Sequence, residues 1–252
     1  MILERLLEQV ASRAAQAIPQ DVRIGGHWTG VTLKLDAEIC GGISSTLGGG
    51  GDDHHHGGGP PVRDAGRLLE RSALELLALA RSESLLEASV GFATLNALLE
   101  VDVDACVEVN AAEVLAERGA GRNVAIVGHF PFIPRLREIT ARLWILELNP
   151  RAGDLPASQA PEILPQADVI GLTGTSLLNH TCDALLQHCR PDAFVIMLGG
   201  TTPLTPTLFE YGVDAVAGTL LVDPEPALRA ISQGATFKQI PGKRLLTQFR
   251  EP

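Results

Sequence analysis

One segment of the sequence is dense in side chains that bind metals. It reads GGGGDDHHHGGGPP from Gly48 to Pro61. The five metal-binding side chains between the glycines are Asp52, Asp53, His54, His55 and His56. Neutral imidazoles bind zinc, copper, nickel or iron, and carboxylates can complete the coordination shell. Consecutive side chains diverge along an extended backbone, however, and ordering a flexible segment costs roughly 1–2 kcal/mol per residue. Three hypotheses therefore stay open: a metal site, a solvated loop, and a lid over another site.

Small and polar residues also follow four short apolar runs in the second half of the chain. Such runs are typical of strands buried on both faces of a parallel sheet, and ligands bind outside the carboxyl ends of these strands. The residues at the four ends are Gly128, His129, Phe130 and Pro131 after NVAIV, Glu147 after RLWIL, Thr173, Gly174, Thr175 and Asn179 after ADVIGL, and Gly199 and Gly200 after AFVIML. We expect these residues to line a single ligand pocket.

Each strand end favours a particular chemistry. Gly128 lets a ligand approach the backbone, although VGHFPF lacks the GxGxxG fingerprint of dinucleotide-binding turns. Glu147 follows Gly128 by about 20 residues, where an acid often receives the hydroxyl pair of a ribose. Thr173 and Thr175 precede a helix, which predicts an anion site at its N-terminus. The alternative is that all four ends are ordinary turns and that Glu147 is a solvated strand end.

Three residues of the first half are further candidates for ligand contact. His27 and Trp28 lie where a strand turns, and they either are structural residues or face a ligand, with Trp28 stacking on a flat molecule. Asn96 lies within an apolar helix and needs hydrogen-bond partners there. It therefore either braces a neighbouring loop or contacts the ligand.

Residue spacing predicts which elements carry these candidates. The first 110 residues indicate an α+β arrangement, with a helix from Ile2 that ends before Pro19, strands between 21 and 44, and helices over 64–81 and 85–99. After Asn110, strands alternate with helices, one of which has Ser176 as a candidate N-cap, and this alternation predicts a parallel sheet. We predict an α/β protein of two domains, residues 1–119 and 120–252, with the boundary near Gly119–Gly121.

Composition excludes several classes of protein and partner. The 252 residues are 45% hydrophobic, which is enough for a sizeable core, and the net charge of -10 argues against nucleic acid as a partner. The four cysteines form no CxxC pair, and the N-terminus carries charges from its fourth residue, unlike a signal peptide. No apolar run approaches the roughly 20 residues that cross a bilayer. We therefore expect a cytoplasmic protein that binds a small molecule and no membrane, either alone or as a homo-oligomer.

Several longer motifs resemble one family. The motifs are ASVGFATLNALL, VGHFPF, ELNPRAGDLP, LPQADVIGLTGTSLLNHT and LGGTTPLTPTLFEYGVDAVAGTLLVD. Together they resemble the putative heavy-metal chelation family of unknown-function proteins, over about His27 to Gly234. The resemblance implies an enolase-like α+β N-terminal domain, a Rossmann-like C-terminal domain and a ligand bound between them. The family motifs fall on Asn96, Gly128, Phe130, Pro131, Glu147, Thr173, Gly174, Thr175 and Asn179. His129 departs from the expected aromatic residue, and the Asp52–His56 segment has no counterpart.

The resemblance implies a role in making or handling a metal-chelating small molecule, such as a pterin- or siderophore-like compound. It fixes neither a reaction nor a cofactor, for which a divalent transition metal and a nucleotide-like ligand are both candidates. Two alternatives stay open beside an enzyme of chelator metabolism. One is a non-enzymatic metal-binding protein that uses His54–His56, and the other is an adenosylmethionine-dependent methyltransferase.

Overall fold

The computed structural model describes residues 1–48 and 61–251, so the predicted metal ligands His54, His55 and His56 lie outside the described residues. The chain folds into two compact units. The first unit contains Met1, Leu3–Val101 and Thr219–Arg244. The second unit contains Ile2, Asp102–Gly218 and Leu245–Pro252. The division at residue 119 stays a prediction, and the unit division observed here falls after Val101.

The first unit combines an antiparallel sheet with helices. Its strands are β1 (Ile18–Ile24), β2 (Trp28–Leu35) and β3 (Glu38–Ser45), and its helices are α1 (Ile2–Ala14), α2 (Ala73–Ala78) and α3 (Leu85–Leu98). The strands pair in sequence order, with Val31 of β2 opposite both Val22 of β1 and Gly42 of β3. Helix α3 packs against β2 and β3, and a Cβ atom at Gly42 would collide with the backbone of α3 at Ala93 and Ala97. The glycine therefore sets how closely the helix approaches the sheet.

The second unit is built on parallel strands. Its helices are α4 (Ala111–Gly119), α5 (Ile133–Ile139), α6 (Ala160–Ile163), α7 (Thr175–Leu178) and α8 (Cys182–Gln187). Its strands are β4 (Asn123–Val127), β5 (Arg142–Glu147), β6 (Leu155–Pro156), β7 (Val169–Thr173) and β8 (Phe194–Leu198), followed by the first residues of β9 (Ala215–Leu221). Val, Ile, Leu and Ala fill these strands, as expected where both faces are buried.

The strand order of the second unit is β6–β5–β4–β7–β8–β9, and all of these neighbours pair in parallel. In chain order these are the third, second, first, fourth, fifth and sixth strands of the unit. The direction of progression reverses between β4 and β7, which makes their carboxyl ends a topological switch point. One face of the sheet packs against α4 and α5 through a core that includes Leu115, Ile126 and Leu136.

The end of the chain completes both units. After Leu221, helix α9 (Pro224–Ser232) packs on β1, β2 and β3, where Leu228 and Ile231 join a core with Ile43. Strand β10 (Lys243–Phe249) then pairs with β9. Leu221 of β9 pairs antiparallel with Gly41 of β3, so the chain has a mixed α/β fold whose strands pair mostly in parallel. No helix within the described residues is both long and apolar enough to cross a membrane.

Most predicted elements are confirmed, and two helices need correction. The helix from Ile2, the strands of the first half and the helix from Leu85 are present. The helix predicted over 64–81 is instead split, because Ser72 and Glu75 form a reciprocal capping box that begins α2 at Ala73. The predicted helix after Ser176 is also split into α7 and α8. Ser176 does not cap it, since its hydroxyl donates to the carbonyl of Thr173 at 2.7 Å.

Candidate functional site

The switch point of the second unit brings two predicted site residues together. Gly128 follows β4 with φ +103°, a conformation that favours glycine, and its N–H donates to the Leu146 carbonyl of β5 at 3.0 Å. A Cβ atom at position 128 would lie 3.0 Å from Cβ of Thr173 at the end of β7. It would also lie 3.3 Å from the ring of Phe130. The glycine therefore lets the end of β4 pack closely against Thr173 and Phe130.

Two hydroxyls lie at the end of β7. The Oγ1 atoms of Thr173 and Thr175 are 2.9 Å apart, and Thr173 Oγ1 accepts the N–H of Thr175 at 3.3 Å. Both residues are half-buried. Since a hydroxyl has one donor and two acceptor positions, this pair retains hydrogen-bonding capacity for a ligand.

The end of β8 is packed tightly against the end of β7. Gly174 leaves no room for a side chain, because a Cβ atom there would lie 2.5 Å from Oγ1 of Thr202. Gly199 has φ +115°, and Gly200, like Thr202, is buried. The Thr202 hydroxyl is buried and has no hydrogen-bond partner in the part of the chain that the structure describes. These glycines thus allow the backbone at the ends of β7 and β8 to pack closely.

The residues after Gly128 contribute an aromatic pair. Phe130 and Phe132 stack with ring centroids 5.1 Å apart and an interplanar angle of 12°. Both rings are half-buried and pack against the core of the second unit, whereas Pro131 is exposed. Phe130 therefore packs against the turn that follows β4, and a Cβ atom built at Gly199 would be 4.0 Å from its ring.

Glu147 ends β5, directly beside the end of β4. Val127 and Leu146 are register partners, so Glu147 extends one residue beyond the last pair of β4 and β5. Among residues 1–48 and 61–251, its carboxylate accepts the N–H of Leu148, which donates to Oε2 at 3.2 Å. The half-buried carboxylate can accept further hydrogen bonds, as binding of a hydroxyl pair requires.

Asn179 and the helix before it give less support to the predicted pocket. Oδ1 of Asn179 accepts the hydroxyl of Thr181 at 2.7 Å and its N–H at 3.3 Å, so this side chain braces the break between α7 and α8. Helix α7 contains four residues. A helix of one turn has a small dipole, so the anion site expected from its N-terminus lacks its main physical basis.

His129 is joined to a side chain that the sequence analysis missed. Its Nδ1 lies 3.4 Å from Oδ2 of Asp154, whose side chain is 3% exposed, whereas the histidine side chain is 31% exposed. In the sequence, Asp154 is the last residue of the motif RAGD, which forms the turn between β5 and β6. An acid in this motif is as typical of a turn as of a binding site.

The three first-unit candidates lie within that unit as follows. His27 is exposed in the turn between β1 and β2, and its carbonyl accepts the N–H of Thr46 at 3.0 Å. Trp28 is half-buried against Phe237, with ring centroids 4.9 Å apart. Nδ2 of Asn96 donates to the carbonyl of Ile43 at 2.9 Å, which fastens α3 to β3. Ligand contact by these residues stays a prediction.

The first unit also buries an acid, Glu87, that was not a candidate from the sequence. The side chain of Glu87 on α3 is 2% exposed and accepts hydrogen bonds from Nε, Nη2 and the backbone N–H of Arg63, and from the hydroxyl of Ser82. The hydrogen bonds from Arg63 lower the pKa of Glu87 to about 2. Its sequence signal, Ser84-x-x-Glu87, predicts a capping box, yet the carboxylate instead anchors Arg63.

Neither thiols nor clustered donors form a second site among residues 1–48 and 61–251. No group of three or more His, Cys, Asp or Glu side chains there could hold a metal ion. Burial raises the pKa of Cys182 to about 12 and that of Cys189 to about 11, so both thiols are protonated at neutral pH. Neither cysteine has the thiolate character of a nucleophile or a metal ligand.

Two family models match the chain. Residues 110–248 match the DUF364 family, described as "Putative heavy-metal chelation", and residues 7–99 match DUF4213, which has the same description. The chain therefore belongs to the DUF364 family. An uncharacterized protein from Methanocaldococcus jannaschii is 27% identical over 169 residues. That match covers 64% of each chain.

Two solved structures share the fold. One is a DUF364-family protein of unknown function from Pyrococcus horikoshii, with 21% identity and a TM-score of 0.83. The match covers 99% of the present chain and 100% of the Pyrococcus chain. The other is a DUF364-family protein of unknown function from Desulfitobacterium hafniense, with 22% identity, a TM-score of 0.80 and coverage of 98% and 100%. At these identities the likeness concerns the fold.

Proposed function

We propose that the second unit is a Rossmann-like domain that binds a small nucleoside-like molecule at the carboxyl ends of β4, β5 and β7. The observation that carries this proposal is the switch point itself, where the neighbouring strands β5, β4 and β7 end at Glu147, Gly128 and Thr173. Open parallel sheets bind their ligands at such a point. The strand order third, second, first, fourth, fifth and sixth supports the same conclusion.

The ligand that fits these strand ends carries hydroxyl groups. Glu147 ends β5, on one side of β4, and its carboxylate has unused acceptor positions. The Thr173–Thr175 pair lies at the end of β7, on the other side of β4. In sheets of this order an acid at that position bonds the hydroxyls of a ribose. Since VGHFPF lacks the extra glycines that admit a pyrophosphate, a nucleoside-like ligand fits better than a dinucleotide.

This binding function agrees with the role in the metabolism of a metal-chelating small molecule that the resemblance implies, and the family description, "Putative heavy-metal chelation", concerns the same chemistry. The antiparallel strands of the first unit, followed by helices, support the proposal of an enolase-like domain beside the Rossmann-like one. An adenosylmethionine-dependent methyltransferase would use the same strand ends, because its cofactor also contains an adenosine group. Direct chelation would rest on Asp52–His56, and it remains the competing hypothesis.

Calorimetric titration with adenosine and with adenosylmethionine tests the binding proposal. We expect Gly128→Ala and Glu147→Ala to weaken binding by about tenfold or more, which corresponds to about 1.4 kcal/mol. Gly212→Ala is the matched control, since Gly212 also has positive φ but a Cβ atom there would meet nothing within 4 Å. Wild-type protein that binds neither molecule, or a Gly128→Ala variant that binds as well as Gly212→Ala, would contradict the proposal.

A zinc titration separates the competing hypothesis. Deletion of residues 50–58 should leave adenosine binding unchanged, because none of the strand-end residues lies in that segment. Stoichiometric submicromolar zinc binding that disappears with the deletion, together with no adenosine binding, would instead favour direct metal chelation.

A further inference from the structure

The His129–Asp154 pair stands at the edge of the proposed ligand site. Gly128 has positive φ directly after β4, and His129 is the next residue, beside the switch point. The imidazole has its Nδ1 edge 3.4 Å from Asp154 Oδ2 and remains 31% exposed. Within the described part of the chain, its Nε2 edge makes no polar contact, so that edge is free to meet a ligand.

Asp154 is held firmly in place. Its Oδ2 accepts the N–H of Arg151 at 3.0 Å, and its own N–H donates to the Arg151 carbonyl at 2.9 Å. The side chain is 3% exposed, and a carboxylate removed from water to this extent needs hydrogen-bond donors. The turn thus presents a fixed acceptor oxygen to the imidazole ring.

A fixed acceptor at Nδ1 selects one tautomer of the ring. A neutral imidazole carries its proton on one nitrogen, and a carboxylate at Nδ1 favours the Nδ1–H form. Nε2 is then a hydrogen-bond acceptor. An unpositioned histidine would present a mixture of donor and acceptor at this edge of the site.

We propose that His129 contacts the ligand of the strand-end site, with Nε2 accepting a hydrogen bond from a ligand hydroxyl, and that Asp154 is the positioning residue that sets this tautomer. The inference rests on the proposed function and adds one specific contact to it. It also gives a role to the one position where a titratable ring replaces the aromatic residue expected from the family pattern.

The positioning role is tested by imidazole ¹⁵N NMR of the full chain at pH 8. Of the seven histidine signals, the one absent from His129→Phe belongs to His129. We expect the Nδ1–H tautomer in the wild type, a mixed tautomer in Asp154→Ala, and recovery of the Nδ1–H form in Asp154→Asn, whose amide oxygen can still accept. A merely structural Asp154 would leave the tautomer unchanged in Asp154→Ala, and this result would overturn the inference. Unfolding curves of both variants show that the comparison is made on folded protein.

The ligand contact is tested by titration with adenosine and with 2′,3′-dideoxyadenosine. We expect His129→Phe to bind adenosine about tenfold more weakly, while its affinity for the dideoxy compound equals that of the wild type. Equal loss for both compounds would indicate ring packing and overturn the inference, as would no loss for either. Failure of the proposed function differs, because the wild type then binds no adenosine, whereas the tautomer measurement still decides the role of Asp154.

Discussion

The polar side chains of Glu87 in the first unit and of the strand ends in the second unit differ in how fully they are hydrogen-bonded. Glu87 is 2% exposed, and four donors from Arg63 and Ser82 are directed at its carboxylate. In the second unit, Thr173 and Thr175 bond each other and stay half-buried, and Glu147 accepts one backbone N–H. Fully paired groups hold structure together, whereas groups with remaining hydrogen-bonding capacity are available to a ligand.

Asn96 and His129, both predicted ligand contacts, use their polar groups differently. The amide N–H₂ of Asn96 donates to the Ile43 carbonyl and joins α3 to β3. His129 has a buried partner on one ring edge and an exposed second edge. This difference supports the proposed binding function of the second unit, and three pairs of variants test the packing and the polar groups of the two units.

The largest effect is expected at Gly42, where helix α3 packs tightly on β3 in the first unit. A Cβ atom there would collide with backbone atoms of Ala93 and Ala97, which cannot rotate away as a side chain would. Gly42→Ala should lower the free energy of unfolding by about 3 kcal/mol, the upper range for overpacking. Chemical denaturation measures it against Gly26→Ala, where a Cβ atom meets nothing within 4 Å. Equal stability of the two variants would show that α3 can move away from β3.

A smaller loss is expected for Glu87→Gln. The folded-state pKa of Glu87 is lowered from 4.5 to about 2, so the carboxylate contributes stability above pH 4.5 that is lost as the pH falls towards 2. We expect the variant to lose about 2 kcal/mol at pH 7, less than the shift alone implies, because the exposed Arg63 is screened by water. The deficit relative to the wild type should shrink between about pH 4.5 and pH 2.

Glu113→Gln is the matched control for this measurement. Glu113 also forms a bidentate ion pair with an arginine, Arg135, but the Glu113 side chain is 56% exposed. Solvent-exposed pairs contribute little, so we expect little change in stability. A pH-independent deficit in Glu87→Gln, or an equal deficit in Glu113→Gln, would show that burial does not distinguish the two acids.

Much of the fold, and the location of the candidate site residues at strand ends, could be predicted from the sequence. The apolar runs before Gly128, Thr173 and Gly199 predict parallel strands, and parallel strands place their carboxyl ends along one edge. The partners of polar residues could not be predicted, because they join distant segments. Glu87 pairs with Arg63 across 24 residues and His129 meets Asp154 from beyond α5 and β5, and neither spacing follows a helix or strand period. The split of the helix after Ser176 depends likewise on the local contacts of Asn179.

The smallest effects on stability are expected for the replacement of two buried threonines by valine, and the two replacements should change stability in opposite directions. Thr202 buries a hydroxyl that has no partner among the described residues, whereas the hydroxyl of buried Thr29 in β2 lies 2.9 Å from that of Thr46. Valine has the shape of threonine without its hydroxyl. Thr202→Val should therefore raise the free energy of unfolding by about 1 kcal/mol, and Thr29→Val should lower it by about 1 kcal/mol.

Chemical denaturation of both variants compares a paired with an unpaired hydroxyl at equal burial, since each threonine is at most 1% exposed. A loss of stability in Thr202→Val would mean that its hydroxyl has a partner, such as a buried water, because removal of an unpaired polar group relieves a desolvation cost. Thr202 lies against Gly174, so such a partner would place a further polar contact beneath the strand-end site. Unchanged adenosine binding in a stabilised Thr202→Val variant would instead exclude Thr202 from ligand contact and leave the half-buried Thr173 and Thr175 as the proposed threonine contacts.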